Sequence, residues 1–468
     1  MTLKEIEIHN FHCYREACFE LADRVNVLIG KNGSGKTSLV KSIKNALSIF
    51  FCNNPSWGYS TIAGNVNDLS VANLNSTEIW HDEDMQPAEK VDIKVKANAE
   101  ECNNGLSLFP IWSFHKLSTA KAKVQPTYYK DAYLYFRKEY SDKKIPWPLF
   151  VYYSDRYPHI DANLTQSIKD MIDNDDKLYR AWGYYHWDKD SSCALIWQKR
   201  FLRTYNLQFK RTQSLSRMED KNSKEAEKCK ADIEKYESET NFVLKYLKKF
   251  TSNQIDGLSD TSNTLQITDI ITDGISEPYI VVYFADGSRR RWDELPAGYE
   301  RLYNIVFDIA YRSYILNGAS IEPQGIVLID ELDLHLHPSM EQDVLRRFMS
   351  TFERIQFIVS THSPLVISNT TLGENGKIIL LQREDGEYSH TYISDKYGSD
   401  YEFVLSAIMN TEPRNVKLEQ LKNKYIRLMR RGKVEHATDT LMAIRALGIS
   451  EERFKQIEND LNKQLEEV

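Results

Sequence analysis

The sequence has no long apolar segment. No apolar run approaches the ~20 residues that a helix needs to cross a bilayer, and the first residues contain no apolar core of the signal-peptide kind. We therefore expect a cytoplasmic protein with no membrane partner. With 468 residues, 41% hydrophobic and 27% charged, the chain has an ordinary globular composition and room for about two or three domains.

Cysteine is sparse and positive charge is not in excess. The six cysteines include no C-x-x-C pair, which argues against a zinc site or a disulfide framework. The net charge of −7 provides no general attraction to nucleic acid. Basic runs do occur at 199–210, 245–249, 289–291 and 422–433. Such a run is most often a solvated face, and only clustering in space would make it a phosphate-binding surface.

A glycine-rich stretch, VLIGKNGSGKTSLVKSI, contains the pattern G-x-x-x-x-G-K-[ST]. A short apolar run precedes the loop, and helical spacing of apolar residues follows it. In this setting backbone N–H groups and the helix N-terminus bind phosphate. We expect Lys36 to reach the β- and γ-phosphates of ATP and Thr37 to ligate Mg²⁺. The candidate nucleotide-binding residues are Gly30, Lys31, Asn32, Gly33, Ser34, Gly35, Lys36, Thr37 and Ser38.

Acidic residues follow a second apolar run, GIVLIDELDLHLHP. Asp330 closes the predicted strand and is the candidate ligand of Mg²⁺, directly or through water. Glu331 follows it and can orient and deprotonate an attacking water. An isolated acidic strand end is often only a capped turn, but the glycine-rich loop in the same chain favours the catalytic interpretation.

Two further candidates lie at the ends of predicted elements. The run FIVSTHSP places His362 just after a strand, where it can contact the γ-phosphate or the attacking water. Gly298 in LPAG precedes a predicted helix, whose N-terminus can bind an anion. For Gly298 the simple alternative, an ordinary helix start, remains equally open.

The rest of the chain predicts an organisation in four parts. Residues 1–51 and 271–400 contain the nucleotide-site motifs, and 52–270 separate them. Within this insertion the aromatic residues of 128–205 favour core packing, and the 3-and-4 spacing of 226–250 predicts a short coiled-coil arm. Residues 401–468 read as helical.

Taken together, the order of these motifs resembles the ABC-type ATPase head of the RecF and SMC kind. The resemblance implies an α/β fold: a P-loop head with a mixed sheet flanked by helices, a helical insertion and a C-terminal helical region. In that group two heads close on ATP, and Gly298 would face the γ-phosphate of the other subunit. Pro296 stands where serine is usual, so we expect slow ATP hydrolysis. His12 stands where arginine is usual, and we assign it no nucleotide contact.

The stretches DELDLHLHP, THSP and YEFVLSAIMNTEPR further resemble the PtuA family of the Septu anti-phage system, which also accompanies some retrons; a similar ATPase serves the PARIS system. This resemblance implies an oligomeric sensor and scaffold that controls an HNH nuclease (PtuB-like), with DNA or retron nucleic acid as a further partner. The alternative is a RecF-like clamp on DNA ends, gripping through residues such as Arg289 to Arg291. We see no HNH pattern and too short a tail for a Toprim nuclease in the chain.

Overall fold

The structure is a computed structural model, and it divides into two compact units, Met1–Gly398 and Ser399–Val468. None of its helices is long and apolar enough to cross a membrane within the part of the chain that is described. The described residues are 1–52, 69–98, 110–118, 123–141, 145–156, 164–175, 178–190, 192–252, 254–255, 258–259, 266–274, 278–393, 403–404, 416–447 and 451–466.

The first unit alternates strands and helices. Its strands are β1 (Thr2–Phe11), β2 (Tyr14–Glu20), β3 (Val25–Ile29), β4 (Lys90–Asn98), β5 (Ile111–Leu117), β6 (Leu149–Tyr153), β7 (Gln254–Ile255), β8 (Leu258–Ser259), β9 (Ile267–Asp273), β10 (Tyr279–Phe284), β11 (Arg289–Arg291), β12 (Gln324–Ile329), β13 (Arg354–Ser360), β14 (Gly376–Glu384) and β15 (Glu387–Ile393). Its helices are α1 (Lys36–Leu47), α2 (Lys130–Ser141), α3 (Gln166–Asp173), α4 (Ala194–Arg217), α5 (Lys224–Thr251), α6 (Ala297–Asn317), α7 (Pro338–Glu341), α8 (Val344–Thr351) and α9 (Pro364–Ser368).

A six-stranded mixed sheet forms the centre of this unit, in the order β15-β14-β3-β13-β12-β6. Five of its strands are parallel, and β15 is antiparallel at one edge. Strands β3 and β6 are buried at every residue, as expected for parallel strands covered on both faces. The carboxyl ends of β3, β12 and β13 therefore meet at one edge of the sheet, where ligands bind in α/β folds.

A second, antiparallel sheet has the order β2-β1-β4-β5. Its strand β4 alternates buried and partly exposed residues, so one face of the sheet packs into the core. Residues 52–270 were expected as an insertion, yet they supply β4 and β5 to this sheet and β6 to the edge of the central sheet. The mixed sheets flanked by helices confirm the predicted α/β class.

The predicted coiled-coil seam lies on α5. Of its eight positions, Ile233 is half-buried and the other seven are buried: Ala226, Cys229, Tyr236, Thr240, Val243, Leu247 and Phe250. The helix packs on α4 and α6, and the Arg200 guanidinium of α4 donates two hydrogen bonds of 2.9 Å to the Glu239 carboxylate. Residues near the α4–α5 turn are mostly exposed. The two helices therefore form a hairpin. Its tip at the α4–α5 turn is exposed to solvent, and the part farther from the turn belongs to the core.

The second unit contains three helices, α10 (Val416–Arg430), α11 (Val434–Arg445) and α12 (Glu451–Glu466). The stretch 401–414, used above for the PtuA resemblance, lies outside the described residues except at 403–404. The buried core of this unit comprises Tyr425, Ala437, Ile444, Phe454, Ile457 and Leu461.

Candidate nucleotide-binding site

The glycine-rich loop joins β3 to α1, with the strand before and the helix after that its pattern requires. Gly30 and Gly35 adopt φ values of +147° and +100°, which L-residues with side chains rarely reach. Neighbouring atoms also leave no room for a side chain at either glycine. A Cβ on Gly30 would lie 2.2 Å from the Leu381 carbonyl oxygen, and one on Gly35 would lie 2.4 Å from the Tyr14 hydroxyl. The loop conformation therefore depends on glycine at both positions.

Lys36 is folded into this loop. Its Nζ donates hydrogen bonds to the carbonyl oxygens of Gly30 at 2.8 Å and Lys31 at 3.2 Å. Burial lowers the pKa of Lys36, while nearby carboxylates, with Asp330 the strongest, act to raise it. The buried hydroxyl of Ser34 has no hydrogen-bond partner among the described residues. A buried cation and an unpartnered donor inside a loop of backbone N–H groups suit a phosphate.

Ser360 connects the ends of β12 and β13. Its hydroxyl donates to Asp330 Oδ1 at 2.5 Å and accepts the Glu331 N–H at 2.8 Å. Asp330 is buried, so this bond orients a carboxylate whose charge acts on the loop lysine. Glu331 has a φ of +53°, a conformation that costs energy for a residue with a side chain and often marks a functional site.

The Glu331 carboxyl is half-buried among other acids. Burial raises its pKa, the charges of Asp330 and Asp155 raise it further, and Lys36 acts to lower it. Asp155 follows β6, so a third strand end contributes to the electrostatics of the site. No role was assigned to Asp155 from the sequence.

His362 is held by Asp333. The Asp333 carboxylate accepts hydrogen bonds from the Thr361 hydroxyl at 2.6 Å and the His362 backbone N–H at 3.1 Å. Burial and the charge of Lys36 lower the pKa of the His362 imidazole. The charges of Asp333 and Asp330 act in the opposite direction, but the net shift is downward. Lys36, Asp330 and His362 thus share one electrostatic environment. Sequence reasoning missed Asp333, although its carboxylate stands three residues after Asp330.

Gly298 is linked to this group through a loop. It is the second residue of α6 and packs on the backbone after β12, where a Cβ would lie 2.8 Å from the His335 carbonyl oxygen. One turn on, the fully buried Arg301 donates to the carbonyl oxygens of Glu331 at 2.9 Å and Leu332 at 3.0 Å. The start of α6 is therefore attached to the loop that carries Glu331. Nothing in the local sequence signalled this role of Arg301.

A family model described as "AAA ATPase domain" matches residues 1–367. The chain belongs to the AAA ATPase domain family. The matched segment contains the glycine-rich loop, β12 and β13 with their polar ends, and the start of α6. This AAA ATPase therefore binds and hydrolyses ATP.

Relatives of this AAA ATPase include a retron ATPase and a Septu protein. It is 25% identical over 467 residues to "Retron Vc95 probable ATPase" of Vibrio cholerae serotype O1 biovar El Tor, an alignment covering 92% of this chain and 84% of that protein. It is 28% identical over 177 residues to "Septu protein PtuA" of Bacillus mycoides (strain KBAB4), covering 36% of this chain and 23% of that protein. The Smc head domain of Pyrococcus furiosus aligns with 84% of this chain and 96% of its own length, at 13% identity and a TM-score of 0.42.

Two features define what the ATPase site can hold. Within the described residues, no group of three or more His, Cys, Asp and Glu side chains could bind a metal alone. Beside Ser38 a groove of 900 Å³ opens, with Trp80, Arg383 and Tyr388 in its wall.

Proposed function

We propose that this ATPase closes two copies of its head on ATP and thereby controls a partner nuclease of the HNH type in an anti-phage defence complex. The observation that carries the proposal is the convergence of Lys36, Asp330, Glu331 and His362 around one loop. That arrangement supplies the groups for phosphate binding and hydrolysis, whereas the described residues contain no separate metal cluster for a nuclease.

The chemistry follows from the roles of these side chains. Lys36 holds the β- and γ-phosphates, and Thr37 and Asp330 are the ligands available to Mg²⁺. The ion, when bound, neutralises phosphate charge and orients the γ-phosphate. Glu331 accepts a proton from the attacking water, and His362 donates to a γ-phosphate oxygen or orients that water. The groove beside Ser38 provides space for the nucleoside.

The second subunit completes the site in this proposal. Pro296 and Ala297 are exposed at the start of α6, whereas Gly298 is buried against the loop after β12. In the proposal the Ala297 backbone N–H and the positive end of the helix face a partner's γ-phosphate, and Gly298 allows the close packing behind them. Pro296 carries no hydroxyl that could add a hydrogen bond. Hydrolysis is therefore slow, and the closed dimer is long-lived.

The assignment to defence draws on the names of the relatives. One is called a retron ATPase and another a Septu protein. The HNH partner and the retron nucleic acid are parts of the proposal, as is the higher oligomer. In this proposal the ATP-bound state of the chain activates or inhibits a separate nuclease.

A reconstituted system tests this function. The chain would be expressed together with the proteins encoded by its neighbouring genes and challenged with phage. We expect Lys36→Ala to abolish protection while the chain and the nuclease still purify together. Full protection by Lys36→Ala would contradict the proposal, and so would the absence of any nuclease among co-purifying proteins.

A DNA clamp remains the second candidate, and one observation favours it. Arg289 and Arg290 are exposed on the edge strand β11, and neither makes an ion pair with a described residue. The clamp predicts ATP-dependent binding of DNA ends that is lost in Arg289→Gln/Arg290→Gln. Unchanged binding by that variant would remove the clamp as described.

A further inference from the structure

The helix α10 carries a row of exposed cations. Lys417, Lys424 and Arg427 are exposed, and Arg431 follows in the exposed turn after the helix. Their spacings of 3, 4 and 7 residues place them along one side of the helix. From first to last the row extends ~21 Å at 1.5 Å per residue. Arg430 and Lys433 are exposed beside it.

These charges are not neutralised locally. Residues 417–433 contain seven Lys and Arg but a single carboxylate, in a chain whose net charge is −7. That carboxylate, Glu419, accepts a hydrogen bond of 2.9 Å from Lys422 on another side of the helix. Within the described chain, none of the row residues makes an ion pair. A concentrated positive row in an acidic protein has the character of a binding surface rather than of general solubility.

The apolar side of α10 is already occupied. Tyr425 belongs to the core of the second unit, and Leu418, Leu421 and Leu428 pack against that core. An amphipathic helix that binds lipid must insert its apolar face between headgroups. Because this face is buried in the helical unit, insertion into a membrane is not available to α10.

We infer that the α10 row binds the phosphate backbone of a nucleic acid. The partner fits because phosphates repeat along a strand, as the cations repeat along the helix, and because Arg427 and Arg431 can each bind a phosphate with two parallel hydrogen bonds. This surface differs from the Arg289–Arg290 edge of the clamp hypothesis. It also needs no nucleotide, so binding is expected with and without ATP.

Fluorescence anisotropy of the full chain tests the inference, with a labelled 20-nucleotide single strand of DNA and the same sequence as RNA as probes. Lys424→Gln/Arg427→Gln should weaken binding at least ~10-fold and reduce the slope of log K against log salt by about 1.5, because each lost phosphate contact removes about 0.7 to 0.9. Whichever probe binds more tightly identifies the source of the phosphates. Equal affinity and slope for variant and parent would overturn the inference.

Two matched variants make this outcome specific. Arg289→Gln/Arg290→Gln removes the same charge from another exposed surface and should leave affinity within ~2-fold. Lys424→Arg/Arg427→Lys keeps the charge and should retain most of the affinity and the full salt slope, while an unchanged Tm of Lys424→Gln/Arg427→Gln excludes a folding defect. Loss of binding in the β11 variant alone would overturn the inference, as would binding to phosphatidylserine vesicles without binding to either probe. ATP hydrolysis should be unchanged in every variant, so failure here is separable from failure of the proposed ATPase cycle.

Discussion

Arg301 donates a hydrogen bond of 2.9 Å to the backbone carbonyl oxygen of Glu331. The guanidinium is fully buried, and it also donates to the Leu332 and Leu334 carbonyls at 3.0 Å each. The candidate base thus stands on a loop whose backbone is fixed by the first turns of α6. Any movement of α6 on closure of the heads would be transmitted to Glu331.

We predict that Arg301→Leu lowers kcat for ATP at least ~10-fold with a smaller change in KM, because the loop loses its orientation while the phosphate loop remains intact. Each buried carbonyl left without a donor also costs about 1–3 kcal/mol, so Tm should fall. Arg312→Leu is the matched control, since Arg312 is a buried arginine on the same helix that pairs with Asp308. It should lower Tm without a selective effect on kcat. A loss of kcat equal in the two variants would show that Arg301 is only structural.

Lys36→Ala should abolish ATP binding. The substitution removes the only lysine whose Nζ is held inside the described loop, and we expect ATP affinity to fall at least ~100-fold. Isothermal titration with a slowly hydrolysed ATP analogue measures this directly. Lys41→Ala, one turn along α1, should bind the analogue normally. Retained affinity in Lys36→Ala would mean that phosphate binds elsewhere.

Ser360→Ala should impair hydrolysis without preventing ATP binding. The hydroxyl both orients Asp330 and satisfies the Glu331 N–H, and its loss leaves a buried carboxylate and a donor unpaired. We expect kcat to fall about 10- to 100-fold and the Mg²⁺ concentration for half-maximal activity to rise. Ser313→Ala is the control, because the buried Ser313 hydroxyl has no partner among the described residues. Normal magnesium dependence in Ser360→Ala would argue against Asp330 as a metal ligand.

Acid should destabilise the protein partly through Asp175. Burial raises the pKa of this carboxyl, but the hydrogen bond from Lys235 and the charge of Arg200 outweigh it and hold the pKa at about 2. Because the folded pKa lies below the unfolded value, the stabilisation is present above about pH 4 and disappears as pH falls toward 2. Asp175→Asn should lower Tm at pH 7 and flatten the decline of Tm with acid. The expected loss in the free energy of unfolding at pH 7 is about 1–2 kcal/mol. Asp439→Asn, at an exposed position of α11, should leave both the Tm at pH 7 and its decline with acid unchanged. An unaltered pH profile in Asp175→Asn would refute this assignment.

Motifs in strand context located the centre of the site from the sequence. The glycine-rich loop, Asp330 and His362 each follow an apolar strand, and parallel strands bring their carboxyl ends to one edge. The pattern could not identify groups that act by tertiary contact. Ser360 and Arg301 reach partners about thirty residues away, and no local periodicity encodes such hydrogen bonds.

The fold shows the same division. The alternation of apolar and polar residues in β4 is visible in the sequence, but its pairing with β1 across more than eighty residues of sequence depends on the folded core. Likewise, heptad spacing predicted α5, whereas burial of its seam against α4 and α6 is a tertiary outcome. Sequence periodicity thus identified elements, and packing determined what each element covers.

The oligomeric state of Glu331→Gln tests the central claim most directly. This variant keeps the shape of the site but removes the base, so ATP should remain bound and hold two heads together. Light scattering after size-exclusion chromatography should show a doubled mass with Mg²⁺ and ATP relative to the same sample without nucleotide. The additional substitution Lys36→Ala should abolish the increase. A mass that is unchanged by ATP, with nucleotide bound to the protein, would contradict ATP-dependent closure of the heads.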